Sequence, residues 1–329
     1  SAQLIVQGTG DRADFDTLTV SSESTDLDFA GSLNLNTMFP DGVLRVHRLA
    51  AAGHVFRTTL DVAGDGNIIR MSSPALLVDS SLRIEDLAVS GSLAGRRIDY
   101  DASFSVYPPD GPARRAGGNN SIITDGSVTF GTSPSLEASI GIADVPMLPL
   151  VKTFAPKVPA GDIPFRDLEV NTRAFLSTDF SSFFFSLQPL ELVDRQADFS
   201  LTTRIFGNNE LIRFGEIQAS YEQYEAAGNT TISFASPDTV RFDSSFRMGA
   251  EEYVLTGTYH GTSTLILRGS HGLNASAFIQ RGNIAFSATA ENFPIPLEAA
   301  TTEVSFKGRG RFAGRNGWFT HFSSISGES

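Results

Sequence analysis

Residues 98–106 read Ile-Asp-Tyr-Asp-Ala-Ser-Phe-Ser-Val. Every even-numbered position is apolar or aromatic, and every odd one from 99 to 105 is polar. Alternate side chains of a strand point to opposite faces, so this segment makes a strand with one apolar and one wet face. The pattern continues in both directions. Leu27, Phe29, Leu33 and Leu35 share one parity around Gly31, as do Phe56, Leu60 and Val62, and then Leu136, Ala138, Ile140 and Ile142. Further along come Leu168, Val170, Ala174 and Leu176, then Ala197, Phe199, Leu201 and Ile205. Ile284, Phe286, Ala288 and Ala290 follow, then Val304 and Phe306. Between these runs stand turn formers such as Asp41-Gly42, Gly64-Asp65-Gly66-Asn67, Gly207-Asn208-Asn209 and Gly228-Asn229. The spacing predicts roughly 18–24 strands. Continuous apolar runs of strand length are rare, which argues against a parallel sheet buried on both faces. The reading is all-β and mostly antiparallel.

The chain has 329 residues. That exceeds the roughly 250–300 at which a single closed core stops growing. The repetition favours one elongated β domain over residues 1–329, with a soft break or mobile loop at 107–121, where three prolines and three glycines interrupt the period. Arg114 and Arg115 lie there, on a solvated tip or against anionic headgroups or a partner. Helix signals are few: one short helix within 147–157, confined by Pro149 and Pro156, and a stretch at 216–227 that reads equally as polar strand and turn. Hydrophobic residues make up 41% and charged residues 19%, which excludes a disordered chain. The net charge of −12 argues against broad nucleic-acid binding. There is no apolar run of transmembrane length and no leader pattern before Leu4-Ile5-Val6, so the chain reads as a mature or excised segment. Cysteine is absent, which excludes disulfides and thiolate metal sites.

No catalytic signature survives weighing. Gly8-Thr-Gly10-Asp-Arg-Ala13 resembles a dinucleotide fingerprint, but Phe15-Asp-Thr-Leu18-Thr-Val20 predicts a strand where pyrophosphate binding needs a helix N-terminus. Gly308-Arg-Gly310 fails likewise. His47 and His54 flank a turn and are a weak metal candidate. Asp14/Asp16, Asp26/Asp28 and Asp99/Asp101 each share a strand face, as a calcium or acid–base pair would, yet they fit the wet face of a strand better. Glycosylation-type triplets begin at Asn119, Asn229 and Asn274. The expectation is a non-enzyme with no metal and no cofactor.

Phenylalanine stands out, with 26 residues against 6 Tyr and 1 Trp. Phe lacks the polar tip of Tyr and Trp, so the surface it forms is meant to stay dry. Transmembrane barrels carry Trp/Tyr girdles, for which seven such residues are too few. The predicted lining of an apolar groove is Ile98, Tyr100, Phe104, Val106, Phe183, Phe185, Leu187, Phe199, Leu201, Ile284, Phe286, Val304 and Phe306. Phe184 falls on the other face, and Pro189 should shift the register before Leu190.

Several stretches share a grammar. Val89-Ser-Gly91-Ser-Leu93-Ala-Gly95-Arg-Arg-Ile98 runs strand, Gly, strand, Gly, strand. Asp144-Val-Pro146-Met-Leu-Pro-Leu150, Glu291-Asn-Phe-Pro294-Ile-Pro296-Leu297 and Asp162-Ile-Pro164-Phe165 repeat a proline-punctuated apolar element. Together they resemble the periplasmic repeats of the TamB/AsmA-like family, bacterial relatives of bridge-like lipid-transfer proteins. The resemblance implies a long sheet curled into a trough, the β-taco, with a hydrophobic interior that conducts phospholipid acyl chains between inner and outer membrane. It also implies a periplasmic location, an inner-membrane anchor outside this chain, a BamA/TamA-type outer-membrane barrel as partner, and a part in outer-membrane biogenesis. The alternative is a β-solenoid or sandwich-array adhesin with a sealed core. A β-sandwich hydrolase using an aspartate pair is the third reading.

Overall fold

A computed structural model describes residues 2–79, 81–108, 120–154, 167–236, 238–261, 264–280, 283–296, 301–315 and 318–322. It is all-β apart from one short helix. The chain divides into two compact units, Ser1–Phe183 and Phe184–Ser329. The first holds β1 (Ala2–Thr9), β2 (Arg12–Ser21), β3 (Thr25–Asn34), β4 (Pro40–Ala51), β5 (His54–Asp65), β6 (Ile68–Val78), β7 (Leu82–Ala94), β8 (Arg97–Tyr107), β9 (Ser121–Thr129), β10 (Ser135–Pro146), helix α1 (Met147–Phe154) and β11 (Glu169–Thr178). The second holds all but the first residue of β12 (Phe183–Asp194). It continues with β13 (Phe199–Asn208), β14 (Leu211–Tyr221), β15 (Tyr224–Ser236), β16 (Thr239–Met248), β17 (Glu251–His260), β18 (Thr264–Gly269), β19 (Asn274–Gln280), β20 (Asn283–Pro296), β21 (Thr301–Arg315) and β22 (Trp318–Phe322).

Within each unit the described pairings are antiparallel and join consecutive strands, as in β7–β8, β8–β9 and β9–β10. The predicted short helix is α1. The 216–227 stretch is strand and turn, shared between β14 and β15. Gly8-x-Gly10 leads into β2, a strand. The 107–121 stretch connects the paired strands β8 and β9 inside the first unit, and Arg114 and Arg115 lie outside the described residues.

Strict alternation is broken where an extra residue enters one strand of a pair. The register shifts between Ile142 and Val145, between Phe214 and Ile217, and between Ala290 and Phe293. Asp144, Glu216 and Asn292 take φ of 54°, 52° and 50° at these bulges. Their N–H groups leave the ladder and need another acceptor. Asp144 donates to Asn171 Oδ1 (2.8 Å), Glu216 to Asn229 Oδ1 (3.0 Å) and Asn292 to Ser305 Oγ (2.9 Å), each on a neighbouring strand. The register also shifts between Leu187 and Leu190, around Pro189. Each bulge reverses the numerical parity of the apolar positions and so keeps one physical face apolar.

Glycines inside the strands lie opposite aromatics. Phe185 pairs with Gly207, Phe246 with Gly228, Phe242 with Gly257 and Tyr100 with Gly126. In each pair the ring occupies the space that a Cβ on the glycine would take. Gly257→Ala should therefore drive a methyl group into the Phe242 ring and destabilise the chain by about 1–3 kcal/mol. A urea titration should show the loss, and Phe242→Leu in the same chain should recover part of it. A neutral single substitution would mean that the ring does not rest on the glycine.

Candidate functional site

The apolar face of the first unit is assembled row by row from the registers. Leu93, Ile98, Val128 and Leu136 stand side by side on β7 to β10. The next row is Gly91, Tyr100, Gly126, Ala138 and Leu176. Ala102, Thr124, Ile140 and Ala174 follow, and then Phe104, Ile122, Ile142 and Thr172. No carboxylate or cation interrupts these four rows.

One end of this face is closed. Where β6, β8 and β10 end and β7 begins, Val78, Leu82, Val106 and Val145 are at most 2% exposed. Phe56, Leu76, Ile84, Phe104, Ile122, Ile142 and Leu150 pack around them. Leu150 belongs to α1, whose segment is free to turn helical because Pro149 sits in its first turn, where no intrahelical donor is needed. Two further contacts tie the end of the helix to the sheet. Thr153 Oγ1 lies 2.7 Å from Ser81 Oγ, and the Phe154 ring meets His54 edge-on at 5.1 Å. His54 is in turn placed by Asp79, whose Oδ2 lies 2.9 Å from Nδ1 and whose Oδ1 accepts from the Val55 N–H at 2.8 Å. At the other end of the same strands the face is open. Leu93 is 48% exposed and Phe130, just beyond β9, is 52% exposed.

The second unit carries its own apolar pocket, of about 360 Å³. Phe246, Met248, Leu255, Leu273 and Phe293 line it, with Tyr253. Tyr253 Oη donates to the Pro294 carbonyl at 2.8 Å. Those residues stand on β17 and β20, about 14 Å apart in a flat sheet, so the strands must bend over their apolar face here. Tyr253 also packs against Phe293 at 5.4 Å and His271 at 6.1 Å. Burial pushes the Tyr253 phenol up, helped by Glu251.

The predicted lining residues fall as follows. Ile98, Tyr100, Phe104 and Val106 share the closed-to-open face, with Val106 buried. Phe185, Leu187, Phe199, Leu201, Ile284 and Phe286 are half-buried. Phe183 and Phe184 are both exposed, at 41% and 43%, so the strand start does not separate them. Phe185 covers Gly207, and a charge there would uncover backbone as well as cross the face. Val304 and Phe306 lie opposite Phe293 and Ala290, with side chains outside the described residues. The sequence pattern did not single out Leu82, Val78, Val145 and Leu150, the closed end. Their signal is the proline-flanked helix that follows β10.

Four of the six candidate carboxylates have a partner on the opposite face. Arg12 Nε meets Asp14 at 2.8 Å, and Arg97 Nε meets Asp99 at 2.7 Å. His47 meets Asp28 at 2.9 Å, and Ser90 donates to Asp101. His47 and His54 thus go to different aspartates, and among the described residues no three acidic or histidine groups gather as a metal site. No family, curated protein or solved structure matches the chain.

Two measurements check this geometry. Leu82→Ala, at the closed end of β7, should cost about 2–5 kcal/mol, and Leu93→Ala, at its open end, under about 1 kcal/mol. Equal costs would mean that the face is sealed along its whole length. The second measurement is a pH titration. Hydrogen bonding from His54 and the Val55 N–H holds Asp79 below the usual carboxylate range. The Ser182 and Ser181 N–H and hydroxyl groups do the same, more strongly, for Asp179. Depressed carboxylates contribute stability that is present above their unfolded value near 4 and lost as pH falls through the folded one. Amide-exchange protection of Val55, Ser181 and Ser182 should accordingly be flat from neutral pH down to about pH 4 and fall below it. Protection that declines between neutrality and pH 5 would assign the loss to another group.

Proposed function

We propose that the apolar face binds the acyl chains of phospholipids and passes them along a hydrophobic path between inner and outer membrane. The observation that carries this reading is the one-ended closure of the first unit. Rows without a charge run from a packed end under α1 to an end where Leu93 and Phe130 meet solvent. Moving an acyl chain from water onto such a surface gains roughly 0.8 kcal/mol per buried CH2 and needs no catalytic group. The repeat grammar shared with the TamB/AsmA-like family supports the same reading. With it go a periplasmic location, a role in outer-membrane biogenesis and a barrel partner of the BamA/TamA type. The sealed-core alternative draws on the cluster around Leu82, which is as closed as any domain interior.

Native mass spectrometry of the delipidated chain, mixed with phospholipid, should show bound lipid. Changing Leu93 and Phe130 together to Ser should lower occupancy at least about fivefold without loss of fold, because both are exposed. Ile123→Ser is the control: Ile123 is 58% exposed but opposite Ser103, on the wet face. Equal loss in control and double variant, or no bound lipid in any form, would count against the conduit.

A further inference from the structure

On the wet face of the second unit, two arginines without an ion-pair partner among the described residues are brought to one cleft. Arg12, Arg97 and Arg204 each hold a carboxylate, the last at 3.1 Å from Glu216. Arg241 and Arg268 have no carboxylate partner among the described residues, in a chain that carries 37 acidic groups against 25 basic ones. The registers bring them to one place. Arg241 on β16 is level with Thr258 on β17, and Thr258 with Ile266 on β18. One row along, Asp243 is level with Thr256, and Thr256 with Arg268. Two strand spacings and one row separate the two arginine Cα atoms by roughly 12 Å. Both guanidinium groups therefore reach the ground between them. That ground is a cleft of about 400 Å³, lined by Arg241, Arg268, Thr256, Thr258, His260 and Asp243.

We propose that this cleft is a binding site for a phosphate group, on the face opposite the apolar one. The guanidinium fork matches phosphate oxygens bidentately, and two forks converging across β17 from β16 and β18 grip one tetrahedral anion from two sides. The Thr258 hydroxyl stands level with Arg241 as a further donor, while the Thr256 hydroxyl is directed to the Arg268 carbonyl at 3.3 Å. Asp243 reduces the charge of the site from two positive to one. It thereby limits affinity and disfavours ligands that bring a large negative charge close to β16. The phosphate is either a free anion or monoester, or the headgroup phosphate of a lipid. The inference does not depend on acyl-chain binding by the apolar face.

The test is titration of the full chain with inorganic phosphate at low ionic strength, followed through its amide and arginine Nε resonances. Shifts should concentrate on β16 to β18 and saturate. Arg241→Gln and Arg268→Gln should each weaken binding roughly tenfold, and Asp243→Asn should tighten it severalfold, a gain that damage to the fold does not imitate. Arg247→Gln, two rows from Arg268 on the same face, should change affinity less than about twofold. A second arm compares vesicles of phosphatidylglycerol with vesicles of phosphatidylcholine containing a neutral diacylglycerol. Vesicle binding that needs Arg241 and Arg268 supports the lipid headgroup as source, and phosphate binding without vesicle binding supports the free anion. The proposal is overturned if phosphate shifts no resonance in β16 to β18, or if Arg247→Gln weakens binding as much as Arg241→Gln.

Discussion

The fold depends on aromatic rings lying over glycines of the neighbouring strand. A glycine inside a strand ordinarily costs roughly 0.5–1 kcal/mol and leaves backbone open to water. Here Phe185, Phe242, Phe246 and Tyr100 supply the missing cover from the strand alongside. The ring gains a flat backbone to rest on, and the ladder beneath is shielded, much as designed sheets rescue edge glycines with aromatics. That coupling draws on Phe185, Phe242 and Phe246 among the 26 Phe, and on Gly126, Gly207, Gly228 and Gly257 among the 30 Gly. It also explains why so many apolar side chains are half-buried rather than buried: the rings shield their own sheet, and among the described residues α1 is the one helix that adds cover.

Bulges are the second constraint. Each extra residue turns its N–H out of the ladder, and Asn171, Asn229 and Ser305 are placed across the strand boundary to accept it. Without Asn171 the part-buried Asp144 N–H would lose its acceptor, at a cost of up to roughly 1–3 kcal/mol, while water would replace the acceptors of the exposed Glu216 and Asn292. With them, β10, β14 and β20 gain local twist while the apolar residues on either side of the bulge stay on one face.

The two faces carry different chemistry because the period of two keeps them apart. The wet face of the first unit neutralises its own charges locally, with Arg12 on Asp14 and Arg97 on Asp99 at a spacing of two residues. Such exposed pairs add little stability. Around Arg241 and Arg268 the same spacing of two, Arg241 to Asp243, forms no ion pair among the described residues, and two guanidinium groups share one cleft. The apolar face differs along its length instead. Under α1 it is packed like a domain core, and at the β7–β8 and β9–β10 turns it is greasy surface.

Period-two alternation in stretches such as 98–106 is a local property of the backbone, so the sequence alone determined an antiparallel all-β chain. It also pointed to one short helix within 147–157 and to the register shift around Pro189. The apolar side of β8 was legible for the same reason: Ile98, Tyr100, Phe104 and Val106 never change parity. Three things were decided only by the tertiary structure. Bulges reset parity in ways that spacing does not reveal, because their N–H acceptors sit on other strands. The closed end depends on α1 returning over residues some seventy positions earlier, as in the contact of Thr153 with Ser81. The convergence of Arg241 and Arg268 arises because two hairpin turns set the registers of β16, β17 and β18, and no local pattern in the sequence encodes which side chains then stand level.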